Sequence, residues 1–169
     1  MSDIRTSRLE LHAVDVPEGE RIVARRPGPL DTWVDDFPFD GDVIGARAYL
    51  EATARLGEQR PFGYYRISRL ADGSAIGGVG FKGQPVLGSV EIGYGLAPSA
   101  RGHGYAAEAV LAVLTIAADH GLSRVTAETT ADNIASQRTL LRAGFHRTAA
   151  DGDDHLYEVL LDGGRAGTA

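Results

Sequence analysis

Between Val90 and Glu108 the chain reads Val90-Glu91-Ile92-Gly93-Tyr94-Gly95-Leu96-Ala97-Pro98-Ser99-Ala100-Arg101-Gly102-His103-Gly104-Tyr105-Ala106-Ala107-Glu108. A strand-like stretch runs through a short loop into a glycine-bearing turn, and then into residues at helical spacing. Glycines at 102 and 104 let main-chain N–H groups point into one concavity at a helix N-terminus. The partial positive charge there favours a phosphate or pyrophosphate, and Arg101 or His103 adds formal charge nearby. The segment reads as an anion cradle. Two other readings stand beside it. A plain strand-to-helix turn needs the same two glycines and no ligand. The string Gly102-x-Gly104-x-x-Ala107 also satisfies a dinucleotide fingerprint, but that fingerprint wants its glycines almost directly on a strand end. Here Pro98-Ser99-Ala100-Arg101 intervene. A Walker phosphate loop is excluded, because no Gly-Lys-Ser/Thr occurs.

Proton transfer needs a carboxylate or its equivalent, and two are suitably placed. The alternation Val125/Ala127/Thr129 sets Glu128 on the less apolar face of its segment, and Glu91 lies on the strand before the cradle. A solvated strand glutamate is the competing reading for each. Asn133 and Ser136 have the spacing of a helix cap and a residue that bonds back to it. Asp31, Asp35, Asp36, Asp40 and Asp42 interleave with Trp33, Phe37 and Phe39. That stretch would attract a cationic group and hold it on aromatic faces. The plainer alternative makes Trp33 and Phe37 core residues and leaves the aspartates solvated. Cysteine is absent, which excludes thiolate nucleophiles, disulfides and Cys-based zinc sites. The five histidines show no ligand spacing, so no metal is expected. No Ser/His/Asp set with a nucleophile elbow is present either, which argues against a covalent acyl-enzyme.

The elements that must position these groups follow from pattern. Arg8 to Val14 alternates as a half-buried strand. Asp15 caps a helix that starts at Val16, tolerates Pro17 in its first turn and stops at Pro27-Gly28-Pro29. Val43 to Leu56 is a second helix, with Ile44, Ala48, Leu50 and Ala54 on one side. Gly63–Leu70 and Ser74–Lys82 are strands around Ala71-Asp72-Gly73, a hairpin signal. Ser89–Leu96 is a third strand, Gly104–Asp119 a helix closed by His120-Gly121, and Arg124–Thr130 a strand. Asn133–Ala143 is a helix, and Phe145–Ala149 and His155–Leu161 are strands. The pattern predicts one α/β domain with a mixed, mostly antiparallel sheet flanked by helices.

Length and composition agree. A chain of 169 residues, 43% apolar and 24% charged, is an ordinary globular domain with a core of its own. Acids outnumber bases 23 to 17, giving a net charge of −6, and Lys82 is the single lysine. That balance argues against a nucleic-acid partner. Ala109 to Ala118, the longest apolar run, is too short to cross a bilayer, and Met1 to His12 holds no signal-peptide core. No membrane partner and a cytoplasmic location are the expectations.

Arg101-Gly102-His103-Gly104-Tyr105-Ala106 matches the (Gln/Arg)-x-x-Gly-x-(Gly/Ala) signature of the GNAT superfamily of acyl-CoA-dependent N-acyltransferases. Glu91-Ile92-Gly93-Tyr94, Tyr105-Ala106-Ala107-Glu108-Ala109, Asn133-Ile134-Ala135-Ser136, Ala143-Gly144-Phe145 and the opening Thr6-Ser7-Arg8-Leu9-Glu10-Leu11 resemble its RimJ/RimL-like branch of ribosomal-protein N-terminal acetyltransferases. The resemblance spans residues 4–161 as one domain and leaves 162–169 as a frayed tail.

The resemblance implies a GNAT fold and acetyl-CoA as co-substrate. Acetyl-CoA would lie where the strand ending near Leu96 splays from Arg124–Thr130. Tyr94, Gly95 and Leu96 would pair with the pantetheine arm, and the turn from Arg101 through Gly102, His103, Gly104, Tyr105, Ala106 and Ala107 would hold the pyrophosphate. Asn133 and Ser136 match further cofactor contacts. Glu128 corresponds to a catalytic glutamate of some members, with Glu91 as its competitor. The family's acid tyrosine is replaced by Leu140, which leaves the Ser136 hydroxyl to protonate the thiolate. Trp33, Asp35, Asp36, Phe37 and Tyr157 are the candidates for the acceptor side, where a small-molecule or peptide amine would bind. A homodimer is compatible with the branch, although no self-complementary patch demands one. A non-catalytic acyl-CoA-binding or sensor module on the same scaffold, and a nicotinamide-dependent enzyme using the glycine string, are the competing functions.

Overall fold

The computed structural model describes residues 3–162; residues 163–169 of the expected tail lie outside the described residues. The opening alternation folds into β2 (Leu9–Ala13), and a two-residue β1 (Ile4–Arg5), not expected from pattern, pairs back onto it. Asp15 caps α1 (Val16–Ala24) as expected, its carboxylate accepting from the Glu18 N–H at 2.9 Å. Then come α2 (Asp40–Leu56) and the antiparallel meander β3 (Tyr64–Arg69), β4 (Ala75–Phe81) and β5 (Ser89–Leu96). A 3-10 turn at Pro98–Ala100 leads to α3 (Tyr105–Asp119), followed by β6 (Arg124–Thr130), α4 (Ile134–Arg142), β7 (His146–Asp151) and β8 (Asp154–Leu160).

The strands form one eight-stranded sheet in the order β1-β2-β3-β4-β5-β6-β8-β7. Among the strands of the described residues, only β5 and β6 run parallel. On one face, Val110, Val113 and Ala117 of α3 pack on Leu11, Ile67, Val90, Ile92 and Val125. Each such aliphatic side chain, fully buried, stabilises the fold by about 1.5–3 kcal/mol. On the other face Ile22, Ala46, Tyr49 and Tyr64 make a second core under α1 and α2.

Helix α2 departs from its expected face. It buries Val43, Ala46 and Tyr49, whereas Ile44 is 66% exposed. The reason lies beneath it: Gly78 and Gly80 of β4 pair with Gly95 and Gly93 of β5, so this face of the sheet has a floor without side chains. Gly45 of α2 meets the Tyr64 ring that covers part of this floor, and the rest of the flank of α2 over the glycines becomes a cavity wall.

The sheet also opens at its one parallel pair. Residues of β5 and β6 are paired from Ser89↔Arg124 to Ile92↔Ala127. Beyond that point β6 continues with β8 and β5 continues with β4. Lys82 N–H donates to the Glu91 carbonyl and Ala97 N–H to the Ile76 carbonyl, each at 2.8 Å. Odd-numbered residues of β5 therefore turn their main-chain groups to β4. By alternation those of Tyr94 and Leu96 face the opening.

Candidate active site

The turn ahead of α3 is built from two left-handed glycines, Gly102 at φ 83° and Gly104 at φ 79°. A Cβ would strain either position. Among the described residues, none of the six consecutive main-chain N–H groups from Gly102 to Ala107 has an acceptor within the chain; the first helical bond runs from Glu108 N–H to Gly104 O at 3.2 Å. The cradle expected from the motif is therefore open.

A brace from the N-terminal loop fixes it. One Glu108 carboxylate oxygen accepts from Thr6 Oγ1 at 2.6 Å and Arg8 N–H at 2.9 Å, and the other from Arg8 Nε at 2.7 Å. Burial works against this charge, but the hydrogen bonds from Thr6 and Arg8 hold the carboxyl below its usual range. Arg8 also donates to the His103 carbonyl at 2.8 Å and lies over the Tyr105 ring. The expected extra charge of Arg101 is directed elsewhere: its Nε donates to the Leu96 carbonyl at 3.1 Å, and its guanidinium covers the Phe39 ring. His103 stacks on Tyr105, with Nδ1 at 3.3 Å from the Ala100 carbonyl.

A cavity of about 420 Å³ extends from this turn, bordered by Tyr94, Gly95, Leu96 and the turn on one side and by Asn133 and Ser136 on the other. Asn133 is the N-cap of α4, accepting from Ser136 N–H at 3.1 Å, and it also borders the cavity; cap and contact coexist. Arg138 and Arg142, not singled out from sequence, complete the wall. Their spacing of four residues places both on one helix face. Replacing both by alanine is expected to weaken binding of the expected coenzyme A by about a hundredfold or more, given about 1.5–3 kcal/mol for each charged hydrogen bond. Isothermal titration at two salt concentrations checks this, because the loss should shrink at high salt.

A second cavity, of about 690 Å³, lies over the glycine floor and shares Tyr94, Gly95 and Ser136 with the first. At the junction Tyr94 Oη lies 2.8 Å from Ser136 Oγ and donates to the Ser136 carbonyl at 3.1 Å. Burial pushes the Tyr94 hydroxyl up to about 12, so it stays protonated at neutral pH. Tyr94 thus contributes its side chain as well as its main chain, which the motif alone did not suggest.

Glu128 borders the larger cavity from β6. Glu91 does not border it: its carboxylate is paired with Lys82 Nζ at 2.6 Å. The residues expected on the acceptor side are also placed elsewhere. Trp33, Asp35, Asp36, Phe37 and Tyr157 border neither cavity. Asp36 accepts from the Ser99 N–H at 2.7 Å and hydroxyl at 2.6 Å, which starts the 3-10 turn. Phe37 and Tyr157 are core side chains, 5% and 4% exposed, and Trp33 packs edge-on against Phe37. Of that acidic stretch only Asp42 reaches the cavity, together with Ile44, Ala48 and Tyr64.

Asp42 is 2% exposed, and burial pushes its carboxyl up to about 6 against the pull of the Phe39 N–H, Tyr64, Arg101 and Arg25. A folded-state pKa above the unfolded one means that the native state binds the proton more tightly. The contribution of Asp42 is thus most favourable below the unfolded value of ~3.9, and is lost as pH rises through about 6. The total change is about 3 kcal/mol. Asp42→Asn is expected to raise Tm at pH 8 and to leave it nearly unchanged at pH 3.5; calorimetric melts at the two pH values check this.

A mixed sheet splayed at its parallel pair, with an anion cradle and a carboxylate-bordered cavity meeting there, has the layout of an acyltransferase. The model of the acetyltransferase (GNAT) domain family matches residues 8–146. YjdG of Bacillus subtilis (strain 168), an uncharacterized N-acetyltransferase, is 39% identical over 86% of this chain and 92% of its own length. RimL, a ribosomal L7/L12 alpha-N-protein acetyltransferase in complex with coenzyme A, shares the fold with a TM-score of 0.69 at 24% identity, over 96% of this chain and 99% of that one. An acetyltransferase from Agrobacterium tumefaciens str. C58 does so with a TM-score of 0.66 at 24% identity, over 94% of each chain. The chain belongs to the GNAT acetyltransferase family and is an N-acetyltransferase.

Proposed function

We propose that the two cavities are the halves of one site that moves an acetyl group from acetyl-CoA directly to a primary amine. The observation that carries this reading is the run of unpaired N–H groups from Gly102 to Ala107 beside a cavity that meets a second one at Gly95. The diphosphate lies on the turn, and Tyr94 and Leu96 offer main-chain groups to the pantetheine amides as a neighbouring strand would. The thioester then sits at the junction, where the Leu96 N–H meets its oxygen. One prepositioned donor of this kind is worth about 10²–10³ in rate.

The amine enters from the larger cavity. An alkylammonium of pKa near ~10 must lose a proton first, and Glu128 receives it. The nitrogen attacks the thioester carbon, the C–S bond breaks, and the thiolate leaves beside Ser136. The serine hydroxyl, hydrogen-bonded to Tyr94 Oη, protonates the thiolate as it takes the second proton from the attacking nitrogen, so amide and thiol form and no serine alkoxide remains. Within the family we favour the RimJ/RimL-like branch, supported by the Glu91-Ile92-Gly93-Tyr94 and Asn133-Ile134-Ala135-Ser136 segments and by the fold likeness to RimL, and a cytoplasmic setting.

Mass spectrometry after incubating the protein and acetyl-CoA with a mixed amine library tests this. One acetylated amine per free thiol is the expected result. Coenzyme A binding without acetylated product would favour the sensor module instead, and stabilisation by a nicotinamide cofactor but not coenzyme A would favour the third reading.

A further inference from the structure

We propose that Asp42 receives the acceptor's ammonium group, and that the larger cavity takes a primary ammonium carried on an apolar stem. This rests on the reading of the two cavities as one transfer site. Asp42 borders the cavity, yet its hydrogen-bonding capacity is half used. Oδ2 accepts from Phe39 N–H at 2.8 Å, closing the first turn of α2, while Oδ1 has only the Tyr64 hydroxyl at 3.4 Å. That second contact is too long to satisfy a buried carboxylate.

Among the described residues, the cations that act on Asp42, and Lys82 at the cavity, are engaged elsewhere, whereas Arg55 borders the cavity from the last turn of α2. Arg25 donates to Asp40 and the Pro38 carbonyl, Arg101 to the Leu96 carbonyl, and Lys82 to Glu91. A cation supplied through the cavity meets the unsatisfied oxygen.

Position assigns the role. The Tyr64 ring covers Gly78 and Gly80, whose partners in register are Gly95 and Gly93. Asp42 therefore stands on the α2 side of the glycine floor and Glu128 on the β6 side, with the open position above Gly95 between them. Two carboxylates divide the work: Asp42 holds the charged ammonium, and Glu128 takes its proton as the nitrogen attacks. Ile44, Ala48 and Ala52 of α2, with Phe62 and Phe81, give the wall an apolar stretch for the stem, while Glu51, Arg55, Gln59 and Lys82 also border the cavity.

Titration calorimetry on the coenzyme A-saturated protein tests this with n-hexylamine and 1-hexanol as probes. At pH 8 the wild type is expected to bind hexylammonium about tenfold tighter than hexanol, as one charged hydrogen bond requires. Asp42→Asn, whose amide oxygen still caps Phe39 N–H, should lose that preference and keep its hexanol affinity. In the wild type the preference should fade below pH 6, where Asp42 is protonated; the other groups that face it are Tyr64, Arg25 and Arg101. The wild-type pH series stands without the variant. A preference retained by Asp42→Asn, or absent from the wild type, overturns the proposal. Failure of coenzyme A to bind at all overturns the transfer-site reading instead.

Discussion

Glu128→Gln is expected to lower kcat/KM for amine acetylation by about 10²–10⁴ while leaving coenzyme A affinity unchanged. The asymmetry follows from placement. Glu128 borders the larger cavity only, and the coenzyme A contacts assigned above lie on the turn, on β5 and on α4. Glutamine preserves shape and removes the proton acceptor. Steady-state thiol release across pH separates this from a positioning effect. Loss of the acidic limb of the rate profile would identify the base, whereas a uniform loss at every pH would assign proton removal to another group. Glu91→Gln should change little, because its carboxylate is already committed to Lys82.

Gly95→Val is expected to remove activity by about 10² or more with almost no change in stability. A Cβ at Gly95 meets nothing within 4 Å, so the fold accommodates it, and a β-branched residue suits a strand. The new side chain nevertheless fills the open position where amine and thioester must meet. Gly78→Ala is its control. There a Cβ would overlap the Tyr64 hydroxyl and ring, and such overpacking costs about 1–3 kcal/mol. Melting curves and thiol release on the two variants should diverge: one stable and inactive, the other destabilised. Equal loss of Tm would show that the floor at Gly95 is packing, not passage.

The strands and the cradle were legible because their signals are local. The period change at Gly104, the alternation of Arg124–Thr130 and the paired glycines each lie within a few residues, and the structure reproduces them. The face of α2 was not legible, because apolar periodicity assumes that a helix packs on side chains. Here it stands over glycines that belong to β4 and β5. The acidic stretch misled for a related reason. Asp31, Asp36 and Asp40 serve Arg21, Ser99 and Arg25, and the Asp36 partner is 63 residues away. Arg8 and Glu108, 100 residues apart, brace the cradle through a contact that no spacing rule reveals. Lys82 and Glu91 were readable in principle, since the β4–β5 hairpin sets them opposite each other.

The central claim is that the turn from Gly102 to Ala107 holds a diphosphate, and its most direct measurement is ¹H–¹⁵N NMR of those amides during titration with coenzyme A and, separately, with pantetheine. Coenzyme A should shift them downfield and slow their exchange with solvent, while pantetheine, which lacks the diphosphate, should perturb only Tyr94 and Leu96. Unmoved amides in a protein that still binds coenzyme A would contradict the assignment.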